Sequence, residues 1–288
     1  MPRVIVLGSG TPAPSPLRWG SSFLVQVGGE WMMFDCGFAA TYKMYRAGFK
    51  ATDVDHLFFT HHHSDHDADY PAFLLTRFDM SIGKENEIRV YGPTLTEQIT
   101  ERIIGEGVGA FWHDIVARTN HPLSLGAYTG RGGVLPRRPP VIHAKDVGPG
   151  KVASGKDWEI TAARVEHVQP YLDSLAYRID SDEGSIVFSG DTRPCDSLTE
   201  LAKDVDLLIM ECIRLKDDPA HEVAGDYETS TVGAGQTATD AGAKKMLLVH
   251  QSLSLEEPEA HTQAIGEVRS AYEGPIIWAD EMTEVPWG

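Results

Sequence analysis

The run Thr60-His61-His62-His63-Ser64-Asp65-His66 constrains this chain more than any other feature. It follows the apolar stretch 57–59, which is typical of a buried strand, and it contains the pattern His-x-His-x-Asp-His. Imidazole and carboxylate groups are preferred ligands of Zn²⁺ and related divalent ions. Side chains alternate at the end of a strand, so the His-x-His pair faces one way, while the following Asp-His pair points to a neighbouring position. The run therefore predicts a site for two metals.

Further short motifs resemble those of the metallo-β-lactamase superfamily, whose signature is the pattern in the run 60–66. Within it, the chain is similar to the branch that holds ribonuclease Z and arylsulfatase-like hydrolases. The other matching segments, in the family's order, are residues 4–12, 21–27, 33–37, 189–192 and 247–250. The resemblance implies an αββα sandwich, in which two mixed β-sheets are flanked by helices, as one domain over residues 1–288. Clusters of strand-like segments with helical segments between them favour the same α/β architecture.

The resemblance also implies a dinuclear metal site. The implied ligands are His61, His63 and His167 for the first metal, Asp65, His66 and His250 for the second, and Asp191 as the bridge. The last three of these along the chain each end an apolar or alternating run, as expected of ligands at strand ends.

Other histidines are alternatives to these ligands. His143 could replace His167, but the segments that follow His167 have the order expected of the family. His221 could replace His250, but it lies in a charged, loop-like stretch. His113, in an aromatic cluster, is a candidate for lining a substrate pocket or for packing within a helix.

Such a site predicts a metal-dependent hydrolase. Metals lower the pKa of bound water from about 15.7 to near 7, and a hydroxide bridging the metals would attack a carbonyl, phosphoryl or sulfuryl group. Asp65 is the candidate catalytic residue that moves a proton, and Asp35 is a candidate for orienting a ligand histidine. Zn²⁺ is the expected metal, with Mn²⁺ or Fe as alternatives. Iron on the same fold would instead favour a di-iron oxidoreductase.

The charge balance and two departures from ribonuclease Z bear on the substrate. The chain has 25 Lys and Arg against 42 Asp and Glu, a formal net charge of −17, which makes a nucleic-acid partner unlikely. Only residues 168–190 lie between His167 and Asp191, so the tRNA-gripping arm of that family is missing, and a family histidine has no counterpart in 227–231. The expected substrate is a small anionic phosphodiester, sulfate ester, or carboxylic ester or lactone. Processing of tRNA 3′ ends is the alternative.

The Gly/Pro-rich stretch 119–157 is predicted to form a flap over the site, because its composition disfavours long regular elements. It has a basic excess that includes Arg137 and Arg138, which are candidate substrate-binding residues. The alternative is an ordinary surface excursion.

Cysteine usage and hydropathy predict a cytoplasmic protein without a membrane segment. Cys36, Cys195 and Cys212 show no paired spacing, which is typical of a reducing compartment. The chain begins with a strand-like segment rather than a signal sequence, and no apolar run approaches the roughly 20 residues that span a bilayer. A homodimer is compatible with the sequence.

Overall fold

A computed structural model describes residues 2–82, 87–219, 225 and 227–287 of the chain. The strands are β1 (Arg3–Gly8), β2 (Ser22–Val27), β3 (Glu30–Phe34), β4 (His56–Phe58), β5 (Glu87–Gly92), β6 (Val141–Asp146), β7 (Gly150–Ser154), β8 (Trp158–Arg164), β9 (Leu175–Ser181), β10 (Gly184–Phe188), β11 (Leu207–Glu211), β12 (Met246–Val249), β13 (Ile276–Trp278) and β14 (Glu284–Pro286). The helices are α1 (Ala40–Arg46), α2 (Ser64–Asp67), α3 (Tyr70–Met80), α4 (Thr96–Ile104), α5 (Trp112–Asn120), α6 (Pro122–Gly130), α7 (Asp196–Leu201), α8 (Thr231–Asp240) and α9 (Pro258–Arg269).

The strands form two seven-stranded mixed sheets. The first has the order β14-β1-β2-β3-β4-β5-β6, and the second has the order β13-β12-β11-β10-β9-β8-β7. Strands β3 to β6 run parallel to one another, as do β10 to β13, while the remaining pairs are antiparallel. The prediction of an αββα sandwich with two mixed sheets is confirmed.

Three apolar layers hold this sandwich together. Between the sheets, Phe34 of β3 stacks on Phe188 of β10 with ring centroids 4.1 Å apart, and both rings are buried. On the outer face of the first sheet, side chains of α1 and α3 are buried against the strands. Helices α7, α8 and α9 cover the second sheet in the same way. Each fully buried Leu or Phe contributes about 1.5–3 kcal/mol, so these layers fix how the strand ends meet.

The carboxyl ends of β3, β4, β8, β10 and β12 meet at one edge of the sandwich. Two hydrogen bonds join the sheets there, from the Leu175 amide to the Thr60 carbonyl (2.9 Å) and from the Tyr177 hydroxyl to the Phe59 carbonyl (2.9 Å). Loops at such an edge are where α/β proteins place their chemistry, because the sheet positions them rigidly.

The stretch 119–157 contains more regular structure than its composition predicted. It includes α6, and β6 and β7 are the edge strands of the two sheets. Glycine and proline are tolerated here because an edge strand leaves one side of its backbone without a ladder partner. Much of the stretch therefore belongs to the sandwich.

Within the described ranges, no helix has the length and apolar character needed to cross a membrane. Cys36, Cys195 and Cys212 are all free thiols.

Candidate metal centre

The run 60–66 leaves β4 and turns into the single-turn helix α2, which carries Asp65 and His66. Two glycines let the neighbouring backbone approach this turn, because a Cβ on Gly20 or Gly37 would collide with the Asp65 carbonyl oxygen. The Cys36 amide also donates to the His66 carbonyl (2.7 Å). Backbone atoms that precede β2 and backbone atoms that follow β3 therefore lie against this turn.

The first group of side chains consists of His61, His63, His167 and Asp191. His63 Nδ1 lies 3.0 Å from His61 Nε2 and 3.2 Å from His167 Nε2. Asp191 Oδ2 lies 3.7 Å from His61 Nε2. One nitrogen or oxygen atom from each of the four lies within 4.8 Å of the others, which is the spacing of ligands around one cation.

The second group consists of Asp65, His66, His250 and again Asp191. His250 Nε2 lies 3.1 Å from both Asp65 Oδ2 and Asp191 Oδ2. His66 Nε2 lies 3.4 Å from Asp191 Oδ1 and 3.6 Å from Asp65 Oδ2. Asp191 thus belongs to both groups, as a bridging carboxylate would. The structure brings together all seven residues that the sequence predicted as ligands.

Asp35 fixes the proton positions of two of these histidines. Its carboxylate accepts from His66 Nδ1 (2.8 Å), from the Thr60 amide (2.7 Å) and from the Thr60 hydroxyl (2.9 Å). That hydroxyl lies 3.0 Å from His61 Nδ1 and, having donated its proton to Asp35, can accept from this nitrogen. Both rings then carry their proton on Nδ1, so each Nε2 presents a lone pair to the cluster.

A backbone carbonyl orients the third histidine. His167 Nδ1 donates to the Tyr227 carbonyl (2.7 Å), which leaves Nε2 unprotonated and facing the first group. When the imidazoles are neutral, their nitrogens and the carboxylate oxygens converge at two points. This set of atoms fits two divalent cations.

Burial and charge act against each other in the cluster. Burial alone lowers the pKa of His66 and His250, but the carboxylates of Asp191 and Asp65 outweigh it and raise both pKa values well above their usual range. Burial raises the pKa of Asp191, but His250 and His66 lower it well below its usual value. The pKa of His61 is lowered well below its usual value, chiefly by burial. Without metals the cluster therefore holds ionised carboxylates balanced by protons on two imidazoles.

The backbone is unusual where three site segments leave their strands. Asp35 and His250 have φ angles of 55° and 61°, in the left-handed region that side-chain-bearing residues seldom adopt. Gly190, which precedes the bridging aspartate, has a φ angle of 60°. Such conformations persist where the surrounding structure imposes them, and they concentrate at functional sites.

Sequence reasoning missed Glu211, which lies beside the cluster. It is fully buried and accepts a hydrogen bond from the Thr192 amide (2.6 Å), next to the bridging aspartate. Burial and the nearby Asp191 charge raise its pKa well above the usual value. An acid at the end of the apolar run 207–210 was the available signal, since a charged side chain is costly to bury without a partner.

Two of the other candidate histidines lie away from the cluster. His143 is on β6 and faces Glu87 at 3.3 Å, with about half of its side chain exposed. His113 is exposed on α5. His221 lies outside the described residues. The structure therefore gives His143 and His113 no position in the metal cluster.

Arg137 and Arg138 lie at the opposite end of the first sheet from the cluster. They precede β6, whose Val141 pairs with Glu87 at the start of β5, whereas the cluster follows the far ends of these parallel strands. The separation is roughly the length of β6, about 17 Å. The expectation that these arginines contact a substrate at the metals is therefore not supported, because strand direction places them at the other edge.

Replacing Asp35 with Asn is expected to weaken metal binding by about 10–100-fold while leaving the fold intact. An amide cannot accept from both the Thr60 donors and His66 Nδ1 with the strength of a carboxylate. Metal content after dialysis against graded chelator concentrations measures the effect. Asp182→Asn, in an exposed turn, is the matched control, and equal metal retention by the two variants would contradict the orienting role.

Comparisons with known proteins agree with this geometry. The family model described as the metallo-beta-lactamase superfamily matches residues 18–225. A curated relative, the ribonuclease Z of Mycobacterium bovis (strain BCG / Pasteur 1173P2), is 31% identical over 257 residues, which cover 87% of this chain and 86% of the relative.

Two solved structures share the fold over nearly their whole length. The metallo-beta-lactamase fold protein YhfI from Bacillus subtilis aligns with a TM-score of 0.74 at 21% identity, covering 100% of this chain and 99% of the other. The short form of human tRNase Z aligns with a TM-score of 0.68 at 20% identity, covering 99% of each chain.

Proposed function

The chain belongs to the metallo-β-lactamase superfamily, in the branch that holds ribonuclease Z, and is a metal-dependent hydrolase. On this premise we propose that it hydrolyses phosphodiester bonds at a two-metal centre. One observation carries the proposal, namely that Asp191 belongs to both groups of converging ligand atoms. The seven residues His61, His63, His167, Asp65, His66, His250 and Asp191 would hold the ions. Zinc is the expected metal, because neutral imidazoles predominate among the donors.

Two divalent ions held there would supply a water of lowered pKa and polarise a phosphoryl oxygen. We assign to Asp65 the movement of the proton of that water. Its Oδ2 faces His250 at 3.1 Å, whereas its buried Oδ1 has no hydrogen-bond partner among the described residues. The orientation of the ligand imidazoles is maintained by Asp35 and by the Tyr227 carbonyl.

The substrate class favoured by the relatives is RNA. The sequence-based preference for a small anionic ester gives way to its alternative, processing of tRNA 3′ ends, since curated proteins of similar length and 31% identity are ribonucleases Z. We therefore place a precursor tRNA with a 3′ trailer first among the substrates, despite the acidic composition of the chain.

A specific observation keeps a small phosphodiester as the second candidate. Residues 175–188 form the plain hairpin of β9 and β10 between the third histidine and Asp191. Cations near the cluster are paired with acids, Arg164 with Asp173 (3.2 Å) and Arg193 Nε with Glu166 (2.7 Å). Paired cations neutralise phosphates poorly, so this part of the surface offers little affinity for an RNA backbone.

One pair of assays separates the candidates. Zinc-loaded protein is expected to remove the 3′ trailer of a precursor tRNA with many turnovers at physiological salt. Asp65→Asn should lower the rate by about 100-fold or more, since proton transfer by a positioned side chain contributes a factor of about 10²–10⁴ to the rate. Asp182→Asn is the control. Turnover of bis(p-nitrophenyl) phosphate without tRNA cleavage would select the small-substrate candidate. Inactivity of the metal-loaded protein on both would refute phosphodiester hydrolysis.

A further inference from the structure

We propose that the chain has a second ligand site, remote from the metal centre, that binds a small organic anion with an apolar body. The site is a cavity of about 270 Å³ between the end of α3, α6 and the segment that precedes β6. Its lining includes Leu74, Phe78, Tyr128, Leu135 and Ile142, together with Arg137. Small-molecule sites are concave and mostly apolar, with few polar groups that fix the orientation of the ligand, and this cavity has that character.

Arg137 is held in the wall of the cavity by two aromatic rings. Its guanidinium carbon lies 4.5 Å from the centroid of the Phe78 ring and 4.8 Å from that of Tyr128, and only 4% of the side chain is exposed. Cation–π contacts of this kind stabilise a buried guanidinium. Because the rings fix the side chain, a ligand would not have to immobilise a flexible arginine, and binding would cost correspondingly less entropy.

The Arg137 guanidinium has more N–H donors than its contact with Asp79 uses, so it can also bind an anion. Its contact with Asp79 uses Nη2, at 3.3 Å from Oδ1, whereas a guanidinium has five N–H donors in a planar fork. That fork matches the geometry of carboxylate, sulfonate or phosphate oxygens.

The charges around the cavity favour an anion. Asp79 also pairs with Arg118 and Arg131, each at 2.9 Å, and Arg118 reaches Asp114 at 2.7 Å. In this network three arginines thus face two carboxylates. In a chain with a formal net charge of −17, a local positive excess beside an apolar cavity attracts an anion with an apolar body.

The cavity lies away from the metal centre, at the opposite ends of the strands. Its wall includes Val141 and Ile142 at the amino end of β6, and the metal ligands follow the carboxyl ends of the neighbouring strands. Binding there is therefore expected to be independent of metal content, and the proposal does not rest on the proposed phosphodiesterase activity.

Isothermal titration with naphthalene-2-sulfonate and with neutral naphthalene-2-methanol tests the site. We expect the sulfonate to bind at one site per chain, and the alcohol at least 10-fold more weakly, with the same affinities before and after treatment with a chelator. Arg137→Gln should weaken sulfonate binding at least 10-fold, whereas Arg46→Gln, on an exposed arginine of α1, should leave it unchanged.

A second variant keeps the test decisive if Arg137→Gln proves unstable. Ile142→Phe adds volume to the half-buried wall of the cavity and should abolish binding of both probes while the protein stays folded by circular dichroism. Absence of saturable binding to the unmodified chain overturns the proposal. Equal sulfonate affinity in the unmodified chain and in either folded variant also overturns it.

Discussion

Replacing Asp191 with Ala should remove most of the bound metal and lower the hydrolysis rate by about a thousand-fold or more. The carboxylate belongs to both groups of ligand atoms, because its Oδ2 lies 3.7 Å from His61 Nε2 in the first group and its Oδ1 lies 3.4 Å from His66 Nε2 in the second. A metal ion contributes several kcal/mol to stabilising a transition state, and each 1.36 kcal/mol is a factor of ten in rate. Elemental analysis and initial rates on the same preparations measure the two losses.

The reason to expect both losses together is that the same carboxylate serves both positions. Asp191→Asn keeps the volume of the side chain and one oxygen, so it should retain more metal than the Ala variant but less than the unmodified chain. Asp182→Ala, in the exposed turn between β9 and β10, is the control for the loss of an acid as such. Full retention of two metals by Asp191→Ala would show that the bridge is assigned to the wrong residue.

The metal cluster could be predicted from the sequence to the extent that its residues follow strands. His61, His63, Asp65 and His66 lie within one short run, so local spacing alone predicts that they meet. Asp191 and His250 are far from that run along the chain, yet each ends a buried apolar segment. Parallel strands bring their carboxyl ends to one edge, and this agrees with the ligand set that the family resemblance implied.

Two other parts of the site were not predicted from the sequence. The Tyr227 carbonyl that orients His167 is a backbone atom, and any residue type at 227 could supply it. Glu211 becomes a neighbour of the cluster only because β11 lies between β10 and β12, an order that the sequence does not contain. Side-chain pattern predicts which residues face a core, but not which carbonyl meets which ring.

For Arg137 and Arg138, the sequence predicted a position that the structure does not support. Their basic character suggested proximity to an anionic substrate at the metals, but the direction of β6 places them at the other end of the sheet. Arg137 is buried between Phe78 of α3 and Tyr128 of α6, which lie far apart along the chain. The basic composition of this stretch favoured an anionic ligand but did not indicate where in the fold these arginines lie.

Removing the metals with a chelator should destabilise the fold, and the loss should grow as the pH rises from 6.5 to 8.5. A ligand present at 1,000 times its dissociation constant adds about 4 kcal/mol to the free energy of unfolding. Because metal binding needs neutral imidazoles, affinity and therefore stabilisation increase with pH. Urea unfolding at fixed total zinc, with and without chelator, measures the difference at each pH.

In the metal-free protein, the free energy of unfolding should instead fall as the pH rises from 6.5 to 8.5. The pKa values of His66 and His250 are raised well above about 6.5 in the folded state, because the carboxylates of Asp191 and Asp65 outweigh the effect of burial. Their contribution to stability is therefore fully present below pH 6.5 and is lost as the pH rises through the raised values, at up to about 1.4 kcal/mol per pH unit for each histidine. The pKa of His61 is instead lowered, so its contribution is lost only as the pH falls below 6.5, outside this window.

The stabilisation by metal should increase with pH, whereas the stability of the metal-free protein should decrease, and the same histidines account for both changes. In the unmodified chain the stability difference between the zinc-loaded and chelated protein should widen steadily across the window. In Asp191→Ala the difference should be small at every pH, since the bridging ligand is gone and the partners that raise the two pKa values are reduced to Asp65 and Asp35. A difference that stays constant with pH, or a chelated protein that gains stability as the pH rises, would mean that protons and metals do not compete for His66 and His250.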